Sequence, residues 1–229
     1  MDYESRLLDA IGLSYSNYIE FGARSNKKLI PLHHEITSIM MDIFGSEYQF
    51  FSYDHHGELK VVGKYYDKDI DITVVKGSQI VCCVGVKFIT SNYKQNANNY
   101  FENMMGETAN IQANNIPYYH IIVLRHETPY YKKTSQATGL KTASKIEEIT
   151  QKDLQKYLNL TMDVQHAHKP KGIGLFLVDI DEQEGTIRPT NMSLCFEPDF
   201  LYLFNQNMSI LKLFSDIENY KNFIERNNG

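Results

Sequence analysis

No apolar run in this 229-residue chain approaches the ~18 residues that a membrane-spanning helix requires. The opening stretch, MDYESRLLDA, has neither the basic start nor the apolar centre of a signal peptide. The expectation is therefore a cytoplasmic protein with no membrane partner. Cysteine is scarce, with only Cys82, Cys83 and Cys195. Two of these are adjacent in a strand-like run, so they point to opposite sheet faces. They lack metal-ligand spacing and make no disulfide framework, and read as small buried hydrophobes of a reducing compartment. Internal repeats, low-complexity tracts and Gly/Pro/Ser linkers are also missing, which favours one α/β domain over residues 1–229. A net charge of −5 argues against a non-specific nucleic-acid coat protein. Basic charge is nevertheless concentrated locally: Arg125 to Lys145 holds five basic residues against one acid, Glu127.

The patterning that is present changes period along the chain. Residues 3–22 read as a helix. A second follows Pro31, with Leu32, Ile36, Ile39, Met40 and Ile43 on one stripe and Gly45 as its stop. The period then drops to two. EYQFFSY and GELKVVGKYY read as strands joined by the turn DHHG, followed by DIDITVV, the turn KGSQ and IVCCVGVKFI. This predicts an antiparallel meander whose last strand, apolar on both faces, is central. A helix capped near Ser91 or Asn92 comes next, then the strand IPYYHIIVLR, a crossover that makes the two flanking strands parallel. The fold class is thus a central mixed sheet flanked by helices, with a core of about 30–125. Residues 126–148 read as a polar loop, and 149–229 as a helix–strand–helix extension.

Chemistry gathers in DKDIDITVVKGSQIVCCVGVKF, residues 67–88. Aspartates open one strand, and Lys87 lies near the end of the next, between Val86 and Phe88, where an unpaired ammonium is costly to bury. The arrangement resembles the PD-(D/E)XK nuclease superfamily, over the helix–meander–helix–strand core and most closely from KYYDKDIDITVV to GVKF. The resemblance implies that an aspartate and a second acid hold Mg2+, while the lysine orients the attacking water. Two carboxylates are the hard oxygen donors such an ion takes, and the ion lowers the pKa of its bound water. The second acid belongs two residues before the lysine, on the same strand face, but Gly85 stands there. A branch of restriction endonucleases supplies that acid from the following helix. By that analogy Glu102, 15 residues after Lys87, is the first candidate and Glu107 the second; they point ~140° apart on a helix. Asp71, directly before ITVV, is preferred as the metal aspartate, with Asp69 as the fallback. Glu35, on the helix before the meander, matches a supporting glutamate by position.

The helix after Lys87 carries five asparagines between 92 and 103, a poor choice for a plain scaffold, while amide side chains suit phosphates and base edges. Lys94, Gln95 and Asn98 there, with Lys132, Lys133 and Lys141 of the polar loop, are the candidate DNA contacts. The pairs His33–His34 and His55–His56 read as surface or packing residues, because adjacent residues cannot share a helix face. The resemblance implies a Mg2+-dependent type II restriction endonuclease of a restriction–modification system. It would act as a homodimer on double-stranded DNA, with Asp71 and Glu102 as metal ligands and Lys87 as the third catalytic residue. The rival readings are a DNA-repair or junction nuclease and a non-catalytic DNA-binding protein in which Gly85 marks a lost activity.

Overall fold

The computed structural model describes residues 2–22, 25–130, 143–182 and 184–228. Helix α1 (Tyr3–Phe21) starts where the Asp2 carboxylate accepts from the Ser5 N–H, and buries Leu7, Ala10, Ile11 and Tyr15. A 3-10 turn (Asn26–Leu29) leads into α2 (Ile30–Phe44). There Pro31 occupies the first turn, and Gly45, at φ 86°, closes the helix with its N–H on the Met41 carbonyl. Arg6 joins the two helices through Glu35 and Asp42, both at 2.6 Å.

Then follow β1 (Gln49–Ser52), β2 (Leu59–Val62), β3 (Asp67–Ile70), β4 (Ile72–Lys76), β5 (Gln79–Ile89), α3 (Tyr93–Gln112) and β6 (Tyr118–Arg125). The remainder comprises β7 (Glu127–Tyr130), β8 (Lys145–Glu148), α4 (Gln151–Met162), β9 (Gly172–Asp181), β10 (Thr186–Pro189), α5 (Met192–Cys195), α6 (Pro198–Asn207) and α7 (Ile210–Asn228). The central sheet is mixed, in the order β1-β4-β5-β6-β9-β10. β1, β4 and β5 run antiparallel, β5, β6 and β9 run parallel, and β10 returns antiparallel on β9. Helix α3 is the crossover between β5 and β6 that parallel pairing demands.

Alternate residues of each strand enter different cores, which makes a three-layer architecture. Val84, Val86, Tyr119, Ile121, Phe176 and Val178 pack with α1, α2 and α7 on one face. Ile122, Leu124, Ile173 and Leu175 pack with α3, α4 and α6 on the other.

Three expectations change. The DHHG turn does not join β1 to β2. It closes on itself through reciprocal Ser52–His55 backbone hydrogen bonds, and His56 and Gly57, both at positive φ, send the chain out of the sheet. β1 pairs instead with β4, while β2 and β3 form a separate ribbon. Within 126–148, β7 and β8 also pair, so this segment is not simply a loop. The C-terminal region supplies β9 and β10 to the same sheet rather than being appended to it. Helix α3 begins after Asn92, which is left-handed at φ 54° and whose side-chain amide donates to Gln95 Oε1 at 3.5 Å.

Candidate metal centre

Asp71 is the single residue between β3 and β4. Its neighbour Ile70 enters the small core of Val61, Cys83, Ile111 and Tyr118, and Ile72 enters the main core. The chain therefore crosses from ribbon to sheet at Asp71. Ile72 pairs with Val84, which sets Asp71 opposite Gly85. There its carboxylate accepts the Val86 N–H at 2.7 Å. Lys87, two residues beyond Gly85, shares the Gly85 face of β5 and reaches solvent. Its charge acts on Asp71, His33 and His120.

Gly85 has a positive structural reason. A Cβ built there would lie 2.0 Å from the Tyr118 hydroxyl and 2.7 Å from His120 Nδ1. Tyr118, from the neighbouring strand β6, fills the space of the missing side chain and donates to Glu107 Oε1 at 2.6 Å. Lys68 of β3 holds the other oxygen of Glu107 at 3.3 Å. A carboxylate is thus delivered from α3 to the neighbourhood of Asp71, and it raises the Asp71 pKa.

A second acid and an imidazole complete the cluster. Ligand atoms of His33, Glu58 and Asp71 lie within 4.8 Å of one another. A cleft of about 350 Å³ opens there, lined among others by His33, Tyr53, Glu58, Lys68, Asp69 and Asp71. Burial pushes the Asp71 carboxyl above its usual range and Glu107 adds to this, opposed by His33, the Val86 N–H and Lys87. Glu58 is raised by burial and then by Asp71 and Asp69. His33 is lowered by burial despite Asp71 and Asp54. His120, behind Gly85, is pushed down to about 3 by burial and then by Lys87, so it is neutral at pH 7.

Glu107 raises Asp71 and Asp71 raises Glu58, the like-charge effect of carboxylates that share a site. Both ring nitrogens of the buried His33 lack a hydrogen-bond partner among the described residues. Carboxylate oxygens with one imidazole form a donor set that fits a divalent ion.

The other sequence candidates lie elsewhere. Glu102 is exposed and acts on Lys156 of α4; Glu107 is the α3 acid that acts on Asp71. Glu35 is bound to Arg6 and faces α1. Asp69 lines the cleft but is exposed opposite Lys60, at 3.7 Å. Lys94 pairs with Asp153 at 3.2 Å, and Asn98 accepts from Lys156 at 3.2 Å. Gln95 lines a groove with Lys94, Tyr130 and Lys145. These three residues lie about 13–20 Å along α3 from Glu107 by helical rise. Lys132, Lys133 and Lys141 fall outside the described residues.

Sequence reasoning missed His33, Glu58 and Tyr118. A signal existed for Glu107: it sits at helical spacing between the buried Met104 and Ile111, whereas Glu102 does not. No helix among the described residues is long and apolar enough to cross a membrane. The mixed α/β fold with its His/Asp/Glu clusters is consistent with a nuclease-like fold. Neither a protein-family model nor a curated protein nor a solved structure matches this chain.

Proposed function

We propose that this chain is a Mg2+-dependent endonuclease of the PD-(D/E)XK kind that cuts double-stranded DNA at a specific site, in the manner of a type II restriction enzyme. The observation that carries the reading is Asp71 set opposite Gly85 on the strand that bears Lys87, with Glu107 brought in by Tyr118. In this reading Glu107 takes the role of the missing acid in place of Glu102, with Glu58 and His33 as further donors. When bound, the ion would polarise a phosphoryl oxygen and acidify a water. Lys87 orients that water and offsets the charge developing on the phosphate. Tyr118 keeps Glu107 turned toward Asp71, and the neutral His120 adds no charge beside Lys87. A homodimer would give each DNA strand its own site.

The test is digestion of phage DNA by the pure protein with and without Mg2+, beside Lys87→Ala, Glu107→Gln and Glu102→Gln. Discrete fragments are expected from the wild type and from Glu102→Gln. The other two variants should lose on the order of 10²-fold or more in rate, as when a charge-stabilising group is removed from a reaction centre. DNA binding without cleavage would sink the enzymatic reading and leave a binding protein. Loss in Glu102→Gln with activity retained in Glu107→Gln would return the second acid to Glu102.

A further inference from the structure

Beside the Asp71 cleft, and independent of what that cleft does, lies a second cluster. His34 sits on α2, one residue after His33 and therefore on a different face of the helix. Asp54 and His55 belong to the self-closed turn after β1. Ligand atoms of all three lie within 4.8 Å of one another. His34 Nδ1 is 2.5 Å and His55 Nε2 3.9 Å from the same Asp54 oxygen. The two imidazoles stack with centroids 5.5 Å apart and planes at 15°. His55 Nε2 is buried and has no hydrogen-bond partner among the described residues, although a carboxylate oxygen faces it.

We infer that His34, Asp54 and His55 form a binding site for a transition-metal dication of the Zn2+ class, clamping the β1 turn to α2. Two imidazoles and one carboxylate are borderline donors that favour such an ion over Mg2+. Bonds of 2.0–2.1 Å in a tetrahedron place ligand atoms about 3.3 Å apart. The observed 2.5 and 3.9 Å straddle that spacing, so shifts of under an ångström bring both contacts to it. The carboxylate is already aimed. The Ser52 hydroxyl donates to Asp54 Oδ1 at 3.2 Å and lies 3.1 Å from the Thr37 hydroxyl, which donates to the His33 carbonyl. Outer hydrogen bonds of this kind orient metal-binding carboxylates. His34 is 57% exposed on its side chain, which leaves an entry path and a coordination position for water. Tyr53 and Glu58 flank the turn and line the Asp71 cleft, so an ion here would fix one wall of that cleft.

The experiment uses the full chain, stripped of metal by chelation and held in excess Mg2+. It is titrated calorimetrically with Zn2+, and with Co2+ to record visible d–d bands. One Zn2+ per chain is expected, with a rise in Tm. Binding should weaken at least tenfold in His34→Ala and in His55→Ala and be retained in Asp71→Asn. The Co2+ bands should vanish in the two histidine variants. If an alanine variant loses its helical circular dichroism, His34→Gln and His55→Gln replace it in the same titration. No Zn2+ binding by the wild type, an unchanged isotherm in both histidine variants, or loss in Asp71→Asn would each overturn the proposal and leave the cluster a hydrogen-bonded histidine–aspartate stack.

Discussion

Two groups of charge sit at different places on one sheet, and they are built on opposite plans. At the end of β6, Arg125 meets Glu182 at 2.5 Å and the Ile180 carbonyl at 3.2 Å. Beside it, Asp179 faces His126 at 3.5 Å and Arg188 at 3.7 Å, and accepts from Thr190 at 2.8 Å. There each charge has an opposite charge for a neighbour. At Asp71 the acids have one another: Glu107 raises Asp71, and Asp71 with Asp69 raises Glu58. The first group holds structure together by its own pairing. The second holds raised carboxyls in a cleft, where His33, Lys87 and the Val86 N–H offset burial at Asp71 only in part, and such perturbed groups make the cleft a candidate site.

Three substitutions break or sharpen this contrast. The largest effect is expected for Gly85→Ala. Its Cβ must displace the Tyr118 hydroxyl from 2.0 Å, so overpacking should cost about 3 kcal/mol in urea unfolding. Adding Tyr118→Phe should recover part of that loss; no recovery would mean that His120 Nδ1, at 2.7 Å, rather than the hydroxyl sets the glycine.

Arg125→Leu removes charge-assisted hydrogen bonds from the paired group and should cost about 2 kcal/mol. An unchanged Tm would show that this pairing contributes nothing.

Asp71→Asn should act with the opposite sign, raising stability at pH 7, because burial has raised the Asp71 carboxyl. The folded-state pKa of Asp71 is raised, so the native chain binds more protons, and stability is lost as pH rises from the ordinary 3.8 through the raised value. The gain in Asp71→Asn should therefore be full above that window and vanish below pH 3.8. A loss of stability at pH 7 would mean that His33, Lys87 and the Val86 N–H outweigh burial.

Local pattern carried much of the fold. The stripe and stops of α2, the doubly apolar β5 and the crossover through α3 follow from periodicity and capping, which act within a few residues. Pairing partners do not. β2 has the same alternation whether it joins the sheet or leaves it, and the choice was made by positive φ at His56 and Gly57. At the candidate site, Asp71 and Lys87 were legible because strand spacing fixes faces. Glu107 was ranked below Glu102 because distance along the chain was weighed over the buried face of α3. Tyr118 under Gly85, and His33 beside Glu58, are contacts across the fold that no spacing rule contains.

The Asn110 side chain has a mechanical consequence. It donates to the Tyr66 carbonyl and accepts from the Tyr65 N–H, each at 2.9 Å, while the Asn110 backbone carbonyl accepts from the Lys64 N–H at 2.8 Å. Asn114 adds a bond to the Val62 carbonyl at 2.9 Å. The far tip of the β2–β3 ribbon is thereby riveted to α3. The ribbon carries Lys68 and Asp69, and α3 carries Glu107, so these groups travel together as one stiff jaw. The opposing jaw is the Asn26–Leu29 turn and the head of α2, which share the cleft with Asp71. The spacing of Glu107 from the ribbon is therefore set by these bonds, whatever the cleft holds.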